Sequence, residues 1–287
     1  MTRQAHRARL FAAALVACCC AALVHAETAA PNPFAKVPPL PTACYSQGET
    51  FYTKLDAAKE AVLADQYAQE AVNTKIQERH NNIDPMEQAA LLQQWMMDNP
   101  QEAMAYMQGV QNVTATEPAK IQADQTADAK FRTDRDALLA SYRAAMKKVN
   151  APFDTRFDDL NKRAVADNGC SWGMGECSPP PWAMAEFNVL QKERDAAYVA
   201  ACPGWWGPTG QITAYFKRYK DWLTGTHVPY LVRQEVHRTN QYAIFNTPAA
   251  SYRSIEPHRA AVQFIDAVYP IYQLRPETPH CTAKGCN

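Results

Sequence analysis

Apolar residues along most of this chain recur every three or four positions, the spacing that places side chains on one face of an α-helix. The first such series consists of Phe51, Leu55, Ala58, Val62, Val72 and Ile76. Ser46 and Glu49 stand at capping-box spacing before it, so we expect one long helix from there to about Glu78. Asp65 and Gln69 interrupt the apolar series, and we expect them to face solvent or to hydrogen-bond a partner.

Two proline-marked sequences follow, Asp84-Pro85 and Asn99-Pro100. In each, a capping side chain precedes a proline at the first helical position, and an acidic residue follows near the positive end of the helix dipole. We therefore expect two short helices with a tight corner between them. Their methionines are Met96, Met97, Met104 and Met107. Such a flexible apolar cluster can receive a partner helix, although internal packing is its commoner role.

A third start is expected at Thr116-Glu117-Pro118, with a helix that continues to Val149. Its first third is mostly polar, which favours a solvated segment. We expect Asn150-Ala151-Pro152 to break this helix and the helical period to resume until Asn168-Gly169. The pattern thus predicts separate helices on either side of each proline.

The composition changes at Gly169, because eight of the ten glycines and five of the six tryptophans lie from there onward. Helices are expected at about 181–201, at 212–222, from near Pro229, and from Pro257 to Tyr269. No segment shows the alternation of a strand. The pattern predicts an all-α, multi-helix bundle with long helices and a loop-rich, disulfide-stapled C-terminal third. Its expected parts are a helical N-terminal subdomain at 44–169 and a helical C-terminal subdomain at 170–287.

The N-terminus predicts export. Arg3, Arg7 and Arg9 precede an uncharged run from Leu10 to Val24, and Ala26 completes a cleavage site, the pattern of a secretory signal peptide at 1–26. A proline-rich tether is expected at 27–43. No later stretch approaches the roughly 18 to 20 apolar residues of a membrane span. We expect a periplasmic or secreted protein without a transmembrane segment.

A second interpretation of the N-terminus involves Cys18. Leu15-Val16-Ala17-Cys18 resembles a bacterial lipobox, in which the cysteine becomes lipid-modified and anchors the chain to the envelope. The apolar run continues beyond Cys18 to Val24, which favours cleavage after Ala26 instead. Lipid anchoring at Cys18 remains the alternative.

Six cysteines remain after cleavage, and an exported chain encounters an oxidising compartment that favours disulfides. They are Cys44, Cys170, Cys177, Cys202, Cys281 and Cys286. Short loops are the least demanding to close, so we expect Cys170 to pair with Cys177 and Cys281 with Cys286, which leaves Cys44 for Cys202. No Cys-x-x-Cys occurs, so no zinc or thioredoxin-like redox site is indicated.

Charge and motifs argue against several classes of function. Lys and Arg total 29 against 29 Asp and Glu, and loss of the three N-terminal arginines leaves 26 against 29, a net charge of −3. This balance is not that of a nucleic-acid-binding protein. The usual hydrolase, metalloprotease and phosphate-loop motifs are absent from the sequence. We expect no metal and no cofactor.

The histidines and carboxylate pairs give no clear catalytic pattern. Five histidines remain after cleavage, and we expect them to be separate surface or hydrogen-bonded groups: His80, His227, His237, His258 and His280. Glu235 and His237 lie two residues apart, so on a helix they would point in different directions. Asp134 with Asp136, and Asp158 with Asp159, are expected to be solvated charges.

The most unusual local feature is aromatic and basic. Trp205 and Trp206 stand between glycines, and Lys217, Arg218 and Lys220 follow among aromatic residues. Aromatic faces interleaved with cations can stack on sugars or hold anions, so these five residues are the candidate binding surface. The alternative is that the tryptophans fill the core, together with a stripe of Tyr215, Tyr219 and Trp222.

These observations favour a non-catalytic exported protein that binds a protein partner or an envelope component such as a glycan. The alternative is a small hydrolase or glycan-acting enzyme with its site in the C-terminal third, near Trp205, Trp206, Glu235 and His237. A deep pocket there, with a carboxylate beside a histidine, would favour the enzyme, and a shallow aromatic and basic surface would favour binding.

Overall fold

The computed structural model describes residues 32–42, 49–168, 178–235 and 252–272, together with 281–282 and 285–286. The chain divides after Asn32 into an N-terminal unit, of which Asn32 alone is described, and a compact unit from Pro33 to Asn287. Among the described residues, no helix combines the length and the apolar character needed to cross a membrane.

The described chain is predominantly helical, as the apolar spacing predicted. The helices are α1 (Glu49–Asn81), α2 (Pro85–Asp98), α3 (Pro100–Asn168), α4 (Pro181–Ala201), α5 (Gln211–Trp222), α6 (228–235) and α7 (Glu256–Tyr272). A turn of π-helix, Leu223–His227, connects α5 to α6, and 3₁₀ turns form at Pro33–Ala35 and Cys202–Gly204. Two strands of two residues each, β1 (Cys281–Thr282) and β2 (Gly285–Cys286), pair antiparallel.

The start of α2 follows the predicted chemistry. The Asp84 side chain accepts hydrogen bonds from the backbone N–H groups of Met86 at 2.8 Å and Glu87 at 3.4 Å, and Pro85 is the first helical residue. These bonds satisfy donors that a helix leaves without intrahelical partners. The capping prediction at Asp84-Pro85 is therefore confirmed.

The prediction of separate helices on either side of Pro118 and Pro152 is wrong, because α3 is one helix of 69 residues. An internal proline removes one backbone hydrogen bond at a cost of about 3 kcal/mol. Around Pro152 this cost is offset by packing on both sides, since Tyr142, Phe153 and Leu160 are all buried. Next to Pro118, Glu117 accepts a hydrogen bond from the Tyr230 hydroxyl at 3.2 Å.

The main core lies where α1, α3, α5 and α7 meet. The largest side chains buried there to below 2% exposure are Trp206, Phe216, Phe264, Leu55, Ile212, Leu223, Ile265, Ile271 and Val62. Leu55, Ala58 and Val62 of the predicted apolar face of α1 belong to this core, while Ile76 contacts Tyr252 in a separate small cluster. The hydrophobic spacing in α1 thus identified much of the buried side of that helix, but Val72 of the same series is exposed, at 38%.

Part of the predicted proline-rich tether packs into this core. Phe34 and Val37 are buried, and the Phe34 ring lies 6.2 Å from that of Phe264. The Lys36 ammonium also donates to the Asp65 carboxylate at 2.5 Å, so Asp65 has a partner within the chain. Residues 33–37 of the expected tether therefore pack against the surface formed by α1 and α7.

A second cluster joins α4 to the C-terminal part of α3. Leu160 and Ala164 pack against Ala183 and Leu190, and Phe157 contacts Phe187 with ring centres 5.2 Å apart. The ion pair between Arg156 and Glu193, at 2.5 Å, borders this cluster. The predicted subdomain boundary at 169/170 lies outside the described residues, and the helices before and after it pack against each other.

The predicted disulfides fall mostly outside the described residues. Cys202 is buried, at 6% exposure, and is disulfide-bonded. Cys281 and Cys286 lie opposite each other in the β1–β2 pair. No disulfide is seen between two described cysteines, so the stapled C-terminal third is not supported there. The three predicted pairs stay predictions.

The stability of the fold is expected to depend on pH through His258 of α7. This side chain is 6% exposed, and its Nδ1 atom has no hydrogen-bond partner among the described residues. Burial lowers the pKa of His258, and Lys36 lowers it further, whereas Asp65 opposes the shift. The unfolded chain therefore binds the proton more readily than the folded chain does. The contribution of neutral His258 to the free energy of unfolding is fully present above the ordinary pKa of about 6.5 and is lost as the pH falls below it.

We expect the free energy of unfolding to decrease between pH 7.5 and pH 5, and the variant His258→Leu to show a weaker decrease. Urea unfolding at several pH values measures both slopes. The same slope in the variant and the parent would show that His258 is not the group responsible.

Candidate functional site

A polar cleft of about 800 Å³ lies between α1, the middle of α3, the α5–π-turn segment and α7. Its charged lining residues are Asp124, Asp128, Asp266, Arg132, Arg135 and Arg259. The lining also contains uncharged or titratable hydrogen-bonding groups, from Tyr219, His227, Gln66, Gln125 and Gln263. This volume lies in the usual range for small-molecule sites, and we take the cleft as the candidate functional site.

One side of the cleft comes from the polar stretch of α3. Asp124, Asp128 and Arg132 are spaced four residues apart, so they share one face of the helix. The Asp128 carboxylate lies 2.5 Å from the Arg132 guanidinium. Because this stretch contains few apolar residues it is expected to be solvated, but its polar face lines the cleft. The regular spacing of four was the signal that could have identified it.

The opposite side presents His227 from the last position of the π-turn. Its Nδ1 atom lies 2.8 Å and 3.0 Å from the two Asp124 carboxylate oxygens. The imidazole also stacks on Trp222, with ring centres 4.9 Å apart and an interplanar angle of 30°. Both side chains of the His227–Asp124 pair are mostly buried, at 16% and 13% exposure. The His227 imidazole is therefore held in place by the Asp124 carboxylate and the Trp222 ring.

A turn of π-helix explains how His227 reaches this position. The Val228 N–H group bonds to the Leu223 carbonyl oxygen, five residues back, where an α-helix would use four. The Thr224 hydroxyl donates to the Lys220 carbonyl oxygen at 2.9 Å and so supplies an additional bond at this irregularity. Such turns are rare and often occur at functional sites.

Tyr219 and Gln263 form a hydrogen-bonded network in the cleft. The Gln263 amide donates to the Tyr219 hydroxyl oxygen at 2.8 Å and to the Asp128 carboxylate at 3.3 Å. Burial raises the pKa of Tyr219, the nearby Asp128 charge raises it further, and the Gln263 hydrogen bond and two arginines oppose the shift. Tyr219 therefore keeps its proton at neutral pH, and its O–H group can donate to a ligand.

Each arginine that lines the cleft already lies beside a carboxylate. In addition to the Arg132–Asp128 pair, Arg135 lies 3.1 Å from Asp136, and Arg259 lies 2.8 Å from Glu256. The Asp266 carboxylate is similarly paired with Lys59 at 2.6 Å. Each lining arginine thus has a carboxylate beside it, and the three arginines and three carboxylates of the lining balance in formal charge.

The structure separates the five residues of the predicted aromatic and basic surface. Trp206 is 1% exposed and packs edge-on against Tyr142, and Trp205 packs half-buried against the same ring. A buried Trp206 cannot contact a ligand, so including it in a binding surface was wrong and the core alternative describes it. Lys217 and Arg218 are exposed on α5.

The remaining aromatic and basic residues of this segment also pack internally. The Lys220 ammonium lies 5.8 Å from the centre of the Phe34 ring. Tyr215 and Tyr219 are buried and Trp222 is half-buried, as the core stripe predicted. The segment therefore serves mainly as packing, and its part in the cleft comes from Tyr219 and from the stacking of Trp222 on His227.

The other candidates from the sequence are mostly ion-paired or lie outside the described chain. Asp134, Asp136 and Asp159 form ion pairs with Lys130, Arg135 and Arg163, respectively. Glu235 is half-buried, but His237 and His280 lie outside the described residues. Within the described part of the chain, no group of three or more His, Cys, Asp or Glu residues could hold a metal.

No family model matches the chain, and neither a curated protein nor a solved structure matches it.

Proposed function

We propose that this is an exported protein that acts by binding, and that its cleft holds a neutral, hydroxyl-rich component of the cell envelope, such as a glycan. The observation that carries this proposal is the pairing of each lining arginine with a carboxylate. Export, with cleavage after Ala26, is part of the proposal, and lipid anchoring at Cys18 is its alternative.

The paired charges favour a neutral ligand for an electrostatic reason. An anion that approached Arg132 would also approach Asp128, 2.5 Å away, so attraction to the guanidinium and repulsion from the carboxylate would largely cancel. A sugar hydroxyl can donate to a carboxylate and accept from a guanidinium at the same time, and hydrogen bonds to charged groups are stronger than neutral ones. Tyr219 and the three glutamines supply further uncharged partners.

The binding proposal predicts different effects for two tyrosines that lie one turn apart on α5. Tyr219→Phe removes a hydroxyl that lines the cleft, so it should weaken binding of an uncharged N-acetylhexosamine trimer by a factor of about 3 to 10. Tyr215→Phe is the matched control, because its hydroxyl donates to the Phe131 carbonyl oxygen at 2.9 Å and does not line the cleft. Isothermal titration calorimetry measures both affinities.

Each variant is also expected to lose about 1 kcal/mol of unfolding free energy from the missing hydrogen bond. The proposal is supported if both variants lose stability but only Tyr219→Phe loses affinity for the trimer. Binding of inorganic phosphate in place of every neutral oligosaccharide tested would contradict it.

The alternative function is a hydrolase, and the observation that favours it is the His227–Asp124 pair at 2.8 Å. A carboxylate can orient a histidine that acts as a general base. No serine, threonine or cysteine is among the described residues that line the cleft, so the histidine would have to activate water directly. Mass spectrometry of the trimer after incubation distinguishes the two functions. Cleavage that disappears in His227→Gln would establish the enzyme, whereas intact trimer with retained binding supports the binding protein.

A further inference from the structure

A second surface, separate from the cleft residues, is formed by α2 and residues 100–108 of α3, which we call the methionine hairpin. None of the residues of α2 is buried, which is unusual for a helix that contains Leu91, Leu92 and Trp95. Four methionines of this hairpin are more than half exposed: Met86, Met97, Met104 and Met107, at 82%, 64%, 62% and 53%. The hairpin therefore presents these four methionine side chains to solvent.

The hairpin has internal contacts that define its corner. Trp95 packs edge-on against Tyr106, with ring centres 6.1 Å apart. Asn99 donates from both its backbone N–H and its side-chain amide to the Trp95 carbonyl oxygen, at 2.9 Å and 3.1 Å. Ala103 is 8% exposed at the beginning of α3. The exposed methionines thus lie on two helices whose mutual packing uses other residues.

The charge of the hairpin has one sign. Asp84, Glu87, Asp98 and Glu102 lie within residues 81–108, and the sequence contains no lysine, arginine or histidine from 81 to 119. Acidic residues interspersed along the chain with exposed methionines favour a partner that combines an apolar stripe with cations. Methionine adapts to differently shaped apolar partners because its side chain is unbranched and polarisable.

We infer that the methionine hairpin docks an amphipathic helix of a partner protein that carries lysine or arginine on its polar face. A second copy of this chain is disfavoured because two acidic hairpins would repel each other, and an anionic lipid surface is disfavoured for the same reason. The 14 residues of α2 extend for about 21 Å, which matches a partner helix of four turns.

The test uses two synthetic 14-residue amphipathic helices with the same leucine stripe, one with lysine and one with glutamate on the polar face. Fluorescence anisotropy of the labelled peptides with the full chain should show binding of the lysine peptide that is about tenfold or more tighter than that of the glutamate peptide. The triple variant Met97→Gln, Met104→Gln, Met107→Gln should lose about tenfold in affinity for the lysine peptide.

Met184→Gln is the matched control, because Met184 is also exposed, at 40%, but lies on α4. It should leave the affinity unchanged. The double variant Glu87→Gln, Glu102→Gln tests the charge independently. It should reduce the preference for the lysine peptide over the glutamate peptide and make binding of the lysine peptide less dependent on salt concentration. Circular dichroism verifies that all variants retain their helix content.

Several results would overturn the inference. Equal affinity for the two peptides would do so, as would a loss of affinity in Met184→Gln equal to that in the triple variant. Self-association that the triple variant abolishes would indicate a second copy of this chain as the partner. Binding to phosphatidylglycerol vesicles in place of the peptides would indicate a lipid surface. None of these readouts depends on the cleft, so the inference and the proposed function can fail separately.

Discussion

Replacement of Trp206 by alanine is expected to lower the free energy of unfolding by about 3 to 5 kcal/mol. The side chain is 1% exposed and lies 5.4 Å from the Tyr142 ring at an interplanar angle of 84°. Its removal would leave a cavity between α3 and α5, and the surrounding core can relax only partly. Urea unfolding followed by circular dichroism measures the loss.

Two variants of the same segment serve as controls. Trp205→Ala should cost less than Trp206→Ala, because Trp205 is only half-buried. Lys217→Ala, at an exposed position of α5, should change the unfolding free energy by less than about 0.5 kcal/mol. A loss below about 1 kcal/mol for Trp206→Ala would restore the tryptophan pair as a candidate binding surface.

Gly210→Ala is expected to destabilise the fold by about 1 to 3 kcal/mol through steric overlap with backbone. A Cβ atom at this position would lie 2.4 Å from the Trp205 carbonyl carbon and 2.7 Å from the Trp206 nitrogen. The dihedral angles of Gly210, φ −63° and ψ 150°, suit any residue, so only this close approach requires glycine. Because both contacts are with backbone atoms, the chain has to shift to relieve them.

Gly204→Ala provides the comparison, since a Cβ atom there meets no heavy atom within 4 Å. Its unfolding free energy should stay within about 0.5 kcal/mol of the parent. Equal losses in the two alanine variants would show that the contact with Trp205 and Trp206 does not determine the effect.

The helical fold could be predicted from local signals because those signals act over a few residues. The Asp84 cap, the apolar series of α1 and the limits of α4 depend on neighbours within one or two turns, and the structure confirms them. The prediction of a helix break at Pro118 and at Pro152 was wrong because it used the same short-range signals. Locally a proline favours a helix start, whereas the continuity of α3 depends on packing against residues far along the chain.

The cleft could not be predicted because its residues are distant in sequence. Asp124 and His227 are 103 positions apart, and no spacing rule connects them. The aromatic and basic segment was predicted to form a binding surface because its residues are close in sequence, yet a helix directs adjacent side chains to different sides. Within α5, Lys217 and Arg218 therefore face solvent while Tyr219 reaches the cleft. Trp206 lies in the turn before α5 and enters the core.

The π-turn at Leu223–His227 also sets the rotational phase of the helix that follows. One additional residue per turn rotates every later side chain by about 100° relative to an uninterrupted α-helix. His227 and Tyr230, three residues apart, contact Asp124 and Glu117 of α3, which are seven residues apart and so share one face. Deletion of a single residue such as Gly225 would turn α6 out of phase with α3 and separate both pairs at once. Substitutions at the exposed positions 224–226 should therefore be tolerated far better than any change in the number of residues in the turn.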